Sequence, residues 1–405
     1  METIKQSEMN IGTLGHIDHG KTSLVKSLTN IWTDRHSESI KRNMTIKLGY
    51  ADAIIRKCDS CKGAEAYTIG ERCERCGSEA KPVLRFSILD APGHETLMAT
   101  AISGANIING ILFIIAANEP CPMQQTREHL MIINLLGLKN AIIVQTKVDL
   151  VGRDKAIEHY KQIKAFIKGS VIENAPIIPA VPNKNVNINV ILETISKLER
   201  PKFDKEADPL MYIARSFDVN KPGSDISKLK GGVVGGTIIR GVLKKGDTIS
   251  ILPGANLQKK GKHESYSEVV TTISGISSGT EELDEAHPGG LIGISTEVDP
   301  ALTKADAFVG MVLGYKGKLP LVVTEIDALY TSLARTDLPT IGFGKDEPIA
   351  LSVGTATVLS YVTGSKRNRL KIRLSHPTPI ERGLKMAVMR RINHRLRLTG
   401  FAVMV

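Results

Sequence analysis

Residues 15–22, "GHIDHGKT", fit the pattern G-x-x-x-x-G-K-[ST]. They follow an apolar run that begins at residue 9, "MNIGTL", and they open a segment of helical spacing, "KTSLVKSL". Strand, glycine-rich turn and helix in that order are what a phosphate-cradling loop requires. Backbone N–H groups of Asp18, His19, Gly20, Lys21 and Thr22 would form the anion nest, with Ser23 adjoining. Lys21 would reach the outer phosphates, and Thr22 would ligate Mg²⁺.

Further along, "LRFSILDA", "GILFIIAA", "NAIIVQT" and "APIIPAV" read as buried strands, separated by segments of helical spacing. This alternation predicts a mainly parallel sheet covered on both faces, an α/β domain over residues 1–200. Two of the runs end on functional patterns. "DAPG", Asp90 to Gly93, places a carboxylate where it would hold Mg²⁺ through water and a Gly93 N–H where it would sense a γ-phosphate. "TKVD", Thr146, Lys147, Val148 and Asp149, offers a carboxylate to guanine N1–H and the 2-amino group, a pairing adenine lacks. Each short pattern alone is weak and Asp-x-x-Gly is usually just a turn. Three in order on strand ends of one sheet specify a GTPase.

Between the first two lies "CDSCKGAEAYTIGERCERCG", residues 58–77. Cys58, Cys61, Cys73 and Cys76 have the spacing C-x₂-C-x₁₁-C-x₂-C. Four thiolates satisfy tetrahedral Zn²⁺ with no open position, so the expected site is structural. An iron–sulfur cluster or a redox dithiol pair are the alternatives. Cys121 stands alone and is expected to be a small half-buried residue without a chemical role. The longest apolar run is far too short to span a bilayer, and "METIKQSEMN" has no apolar leader core. A cytosolic protein is expected.

"ERPKFDKEADP" breaks the strand–helix pattern as a linker would. Beyond it, short β-type runs recur between glycine-rich turns, which predicts a β-barrel over 209–317 and a second β-rich domain over 318–405. The formal net charge is +11. Between Lys366 and Arg397, eleven basic residues stand against Glu381 alone, a net +10. Such a concentration suits a polyanionic partner; a solvated basic face is the plainer alternative.

"GHIDHGKT" and "DAPGHE", with "LMYIARSFDVNKPG" and "GGVVGGTIIRGVLKKGDTISI", resemble the translational GTPases, the group that includes elongation factor Tu. With the cysteine insert the chain is most similar to the gamma-subunit family of translation initiation factor 2, archaeal type. The resemblance covers almost the entire chain. It implies a GTP-binding domain with a zinc knuckle followed by two barrels. It also implies binding of methionylated initiator tRNA in the GTP state, separate alpha and beta subunits, and delivery to the small ribosomal subunit.

By the same resemblance Thr45, in "KRNMTI", is an Mg²⁺-ligating switch residue, and His94 positions the attacking water, so Lys21, Thr45 and His94 would carry catalysis. Ile17 and Met44 would gate that histidine, and Asp18 and Asn43 would organise a second cation. Tyr50 would face the aminoacyl end, or be an ordinary core or surface tyrosine. Three positions depart from the family pattern: Thr146 replaces Asn, Asn43 replaces Gly, and Val181–Pro182 replace Ser-Ala in the last guanine-contacting loop. GTP preference with altered affinity is expected, and base contact from that last loop is not carried over. An elongator-type GTPase and a GTP-binding RNA scaffold with little hydrolysis are the rival readings.

Overall fold

The first apolar run becomes β1 (Met9–Gly15), buried along its whole length. In this computed structural model the described residues are 4–33, 48–91, 98–221, 223, 225, 229–256, 266–333, 335 and 342–405. They fall into two units, Met1–Lys202 and Phe203–Val405.

After β1, helix α1 (Lys21–Thr29) buries Lys21, Leu24, Val25 and Leu28, one stripe at helical spacing, and ends on Asn30 in the left-handed region. The remaining strands of the first unit are β2 (Gly49–Cys58), β3 (Tyr67–Thr68), β4 (Ala80–Asp90), β5 (Gly110–Ala116), β6 (Ala141–Thr146) and β7 (Ile177–Pro179). Their order in the sheet is β3-β2-β4-β1-β5-β6-β7. Pairings β4–β1–β5–β6–β7 are parallel, whereas β2 runs antiparallel to β4 and β3 antiparallel to β2. Helices α2 (Met98–Ala105), α3 (Gln124–Leu136), α4 (Arg153–Ile167) and α5 (Ile188–Ser196) complete the unit.

Strands β2 and β3 were not read from the sequence, and β4 starts four residues earlier than "LRFSILDA" suggests. The reason is local. Pro82 lies at a register shift, opposite Arg56, where a residue without an N–H does no harm to the ladder. Asp52, which looks like a surface residue, turns inward to accept from Ser87 Oγ at 2.5 Å, and burial pushes its carboxyl above the usual range.

The second unit is almost entirely strands: β8 (Leu210–Phe217), β9 (Val233–Arg240), β10 (Leu243–Lys244), β11 (Thr248–Asn256), β12 (Tyr266–Ser278), β13 (Glu281–Leu283), β14 (Glu285–Ala286), β15 (Ile292–Thr296) and β16 (Val312–Gly314). Strands β11-β16-β8-β9-β15-β12 form a ring, because β11 also pairs with β12, which seals a core of Ile and Val side chains. A short helix, α6 (Pro300–Thr303), is capped by Asp299, whose carboxylate accepts from the Ala301 N–H.

A second ring follows: β17 (Leu321–Ser332), β18 (Glu347–Val353), β19 (Ala356–Lys366), β20 (Arg369–Ile380), β21 (Lys385–Ile392) and β22 (Arg395–Met404), closed in the order β17-β20-β19-β18-β21-β22. Among the described residues, closure leaves no free sheet edge in either ring. The rings are tied to each other by Thr355 Oγ1 donating to the Ile213 carbonyl at 2.6 Å and by the Arg240–Glu381 ion pair. The architecture is thus the α/β domain followed by two barrels that the sequence implied.

Candidate functional site

Residues 15–20 turn the chain from β1 into α1 with Asp18 at φ 59° and Gly20 at φ 87°. Two left-handed residues in so short a loop curl successive amides toward one side, the conformation of an anion nest. Lys21, the first helical residue, is buried and donates to the carbonyls of Gly15 (3.1 Å) and His16 (2.8 Å). Burial pushes its ammonium down to about 8, with Asp90 and Asp18 pulling it back up. A buried cation beside a turn of this conformation suits an anion.

Asp90, at the end of β4, is wholly buried and accepts from three hydroxyls. Thr13 Oγ1 of β1 reaches Oδ1 at 2.8 Å, while Thr22 Oγ1 of α1 (2.8 Å) and Thr33 Oγ1 (2.7 Å) share Oδ2. Thr13 also accepts from the Ala91 N–H at 3.2 Å. The Thr22–Asp90 contact brings together the two Mg²⁺ positions read from the sequence. Thr13 and Thr33 were missed, since a lone threonine carries no pattern. Gly49 makes Thr33's approach possible: a Cβ there would come within 2.7 Å of Thr33 Cβ and 3.3 Å of Asp90 Cβ.

His19 is buried, its Nδ1 3.1 Å from the Ile114 carbonyl and its Nε2 3.1 Å from Glu119. Burial lowers its pKa to about 4, so the ring is neutral at neutral pH. Its carbonyl accepts from Thr146 Oγ1 at 2.7 Å. Thr146 therefore spends its hydroxyl on the phosphate loop, tying "TKVD" to "GHIDHGKT". Lys147 sits in the left-handed region (φ 56°), and Asp149 is ion-paired to Lys184 at 2.8 Å. The loop that carries Val181 and Pro182 is held to α1 through Ser27 Oγ, which donates to the Pro182 carbonyl at 2.9 Å. Ser23 and Ile17 are half-buried in the loop and first turn. Asn43, Met44, Thr45, Gly93 and His94 lie outside the described residues.

The four cysteines of the insert converge, with all four Sγ atoms within 4.8 Å of one another. Cys58 Sγ lies 3.5 Å from Cys76 Sγ, and Cys73 Sγ lies 3.7 Å from Cys61 Sγ. These separations are far beyond a disulfide bond of about 2.05 Å. They match the edge of a tetrahedron with metal–sulfur bonds of about 2.3 Å, roughly 3.8 Å. Cys121 is half-buried, and burial pushes its thiol up to about 12, where it is inert.

The outward charge of the last ring is less than the sequence count suggests. Arg390 is buried, makes two hydrogen bonds to the Glu347 carboxylate and stacks on Phe343. Lys371 and Arg373 face Asp327 and Glu325 across β17. At the β19–β20 turn, Lys366 stands opposite Arg369 with Arg367 between them, and no acid pairs with these three among the described residues.

Residues 6–201 match the family described as elongation factor Tu GTP binding domain, 231–314 match elongation factor Tu domain 2, and 334–404 match initiation factor eIF2 gamma, C terminal. The chain is 45% identical to translation initiation factor 2 subunit gamma of Methanothermobacter thermautotrophicus, over 98% of this chain and 99% of that protein. The corresponding protein of Methanocaldococcus jannaschii is 47% identical over 98% and 97%. Among solved structures, the fold resembles a bacterial selenocysteine-specific elongation factor (TM-score 0.74, 23% identity, 98% of this chain and 58% of that one). It also resembles the elongation factor SelB of Methanococcus maripaludis bound to a GTP analogue (TM-score 0.70, 22% identity, 99% and 80%). With the phosphate loop, its paired hydroxyl and carboxylate and both following barrels in place, the chain belongs to the translation initiation factor 2 gamma-subunit family and is a translational GTPase.

Proposed function

We propose that the protein is a GTP-switched carrier: it binds methionylated initiator tRNA in the GTP state, delivers it to the small ribosomal subunit with separate alpha and beta subunits, and hydrolyses GTP on start-site selection. The observation that carries this reading is the Asp90 carboxylate, shared by Thr22 of the phosphate loop and by Thr33, which leads into residues 34–47. A change at the Mg²⁺ position must redistribute hydroxyls around one buried carboxylate, and Thr33 is one of them. Occupancy of the phosphate site is thereby coupled to the start of the first switch.

In this reading Lys21 and the amides of 18–22 hold the outer phosphates, and Ser23 supports the nest. Thr22, Thr45 and Asp90 (through water) would hold Mg²⁺, which would supply positive charge against the phosphates. Asp18 and Asn43 contribute to a second cation site. Gly93 senses the γ-phosphate and His94 orients the attacking water. Lys147 and Asp149 form the guanine side, and Thr146 ties that side to the phosphate loop. The four cysteines hold a closed structural Zn²⁺, a fit supported by their tetrahedral separations. Domains at 1–200, 209–317 and 318–405 and a cytoplasmic location belong to the same proposal.

The cations at the β19–β20 turn, without an acidic partner among the described residues, suit an RNA phosphate backbone, since like charges opposite each other weaken the hairpin unless a polyanion offsets them. The test is binding of initiator methionyl-tRNA with a non-hydrolysable GTP analogue against GDP. Equal affinities would end the switch account. Equal binding of elongator tRNAs would favour the elongator reading. Equally negligible single-turnover hydrolysis by wild type and His94→Ala on ribosomes would favour a scaffold.

A further inference from the structure

Guanine presents two donors, N1–H and the 2-amino group, beside one acceptor, O6. A site that reads it needs a carboxylate and a hydrogen-bond donor as close neighbours. On the reading above Asp149 supplies the carboxylate, and the inference here rests on that reading. The donor is the open question, because the loop that runs from Ala180 to Asn187 is poor in available amides.

Its backbone donors can be followed one by one. The Ala180 N–H goes to the Gln145 carbonyl (2.9 Å), and the Val181 N–H goes to Val186 (3.3 Å). Pro182 has no N–H. Lys184 and Asn185 return their amides to the carbonyls of Val181 and Pro182, both at 3.0 Å, and Val186 returns its own to Val181 at 3.2 Å. The loop is also fastened: its Pro182 carbonyl is held by Ser27 of α1. What the loop presents to Asp149 is a side chain. Lys184 Nζ lies 2.8 Å from Asp149 Oδ2, and 64% of the lysine side chain is exposed.

We propose that Lys184 is a specificity-determining residue of the nucleotide site, its ammonium donating to guanine O6 while Asp149 accepts from N1–H and the 2-amino group. An ammonium and a carboxylate in contact offer a donor and an acceptor at the spacing of O6 and N1–H on one purine edge. Lys has three rotatable donors, so Nζ keeps Asp149 while it turns another hydrogen to the base. Adenine, with a 6-amino group and an unprotonated N1, would meet a donor with a donor and an acceptor with an acceptor. Both members of the pair therefore reject it.

The experiment is a double comparison of wild type and Lys184→Ala on full-length protein, by equilibrium binding of GDP and 6-thioguanosine diphosphate. The thio analogue keeps N1–H and the 2-amino group but offers sulfur, a weak acceptor, in place of O6. Lys184→Ala is expected to weaken GDP roughly tenfold and to leave the thio analogue within about twofold, with Lys184→Arg retaining most of the GDP affinity. Unchanged GDP binding would overturn the inference and pass the O6 contact to another donor of the same loop, such as the Asn183 N–H. Tighter GDP binding would also overturn it, showing that the lysine competes with the base for Asp149. Inosine diphosphate separates this from the underlying reading, since it lacks only the 2-amino group. If wild type binds it as tightly as GDP, the assignment of Asp149 fails, and the lysine proposal with it.

Discussion

Thr146 stands where a guanine-recognition motif normally has Asn, and the structure gives a specific reason to expect what its removal does. The hydroxyl is buried and donates to the His19 carbonyl at 2.7 Å, across the gap between β6 and the phosphate loop. Thr146→Val keeps the shape and removes the donor, leaving a buried carbonyl unsatisfied. That loss costs about 1–2 kcal/mol. The loop must keep this conformation to hold a phosphate, so the cost is expected to appear as roughly 5- to 30-fold weaker binding. Because the tie runs to the loop and not to the base, GDP, inosine diphosphate and ADP should weaken by the same factor. Stopped-flow measurement with fluorescent diphosphates would give the three ratios, and dissociation should account for most of the change. A Thr146→Val protein with unaltered overall affinity but relaxed base preference would refute the reasoning, since it would place the hydroxyl against the base.

Thr13→Val should lower stability of the first unit by about 1–3 kcal/mol, read from urea denaturation, because it strips a donor from Asp90 and an acceptor from the Ala91 N–H. On the zinc proposal, Cys58→Ser should abolish the stoichiometric zinc that elemental analysis would find in the wild type; retention of one zinc per chain would mean three thiolates suffice. His129 on α3 is buried, and its surroundings of Lys21, His16 and His19 add to burial in holding its pKa near 3, below the ordinary 6.5. The folded state thus refuses a proton that the unfolded chain accepts. Its contribution is full above about pH 6.5 and is lost as pH falls toward 3, and His129→Leu should flatten that part of a stability–pH profile. Lys366→Ala with Arg367→Ala should weaken tRNA binding and reduce its salt slope, whereas Lys371→Ala with Arg373→Ala, each facing an acid across β17, should change both less.

The parts of the molecule that were legible in the sequence are those where local backbone chemistry sets the outcome. "GHIDHGKT" needs its glycines and its lysine within eight residues, and doubled CxxC turns announce themselves at any distance. What stayed hidden depends on partners far along the chain. Thr33 and Asp90 are 57 residues apart and meet only because Gly49 leaves room. Thr146 carries no sign that its hydroxyl serves a loop 127 residues away. The basic count between Lys366 and Arg397 overstated the free charge because Glu325, Asp327 and Glu347, which offset it, precede that window. Likewise the inward turn of Asp52 on β2 depends on Ser87, 35 residues further along the chain.

The cysteine insert and the nucleotide site occupy opposite ends of one antiparallel ladder. At one end Cys58 pairs with Ala80; at the other Gly49 pairs with Asp90, ten residues and about 30 Å away. Side chains alternate faces along such a ladder, so a slip of one residue would turn every β2 side chain over and carry Gly49 off Asp90. Residues 58–80 make a long excursion between the two strands, and a loop of that length sets register poorly on its own. The cysteine cluster closes it. The clip is in this sense an alignment pin, and an error in it would surface at the far end of the ladder, where Thr33 finds Asp90.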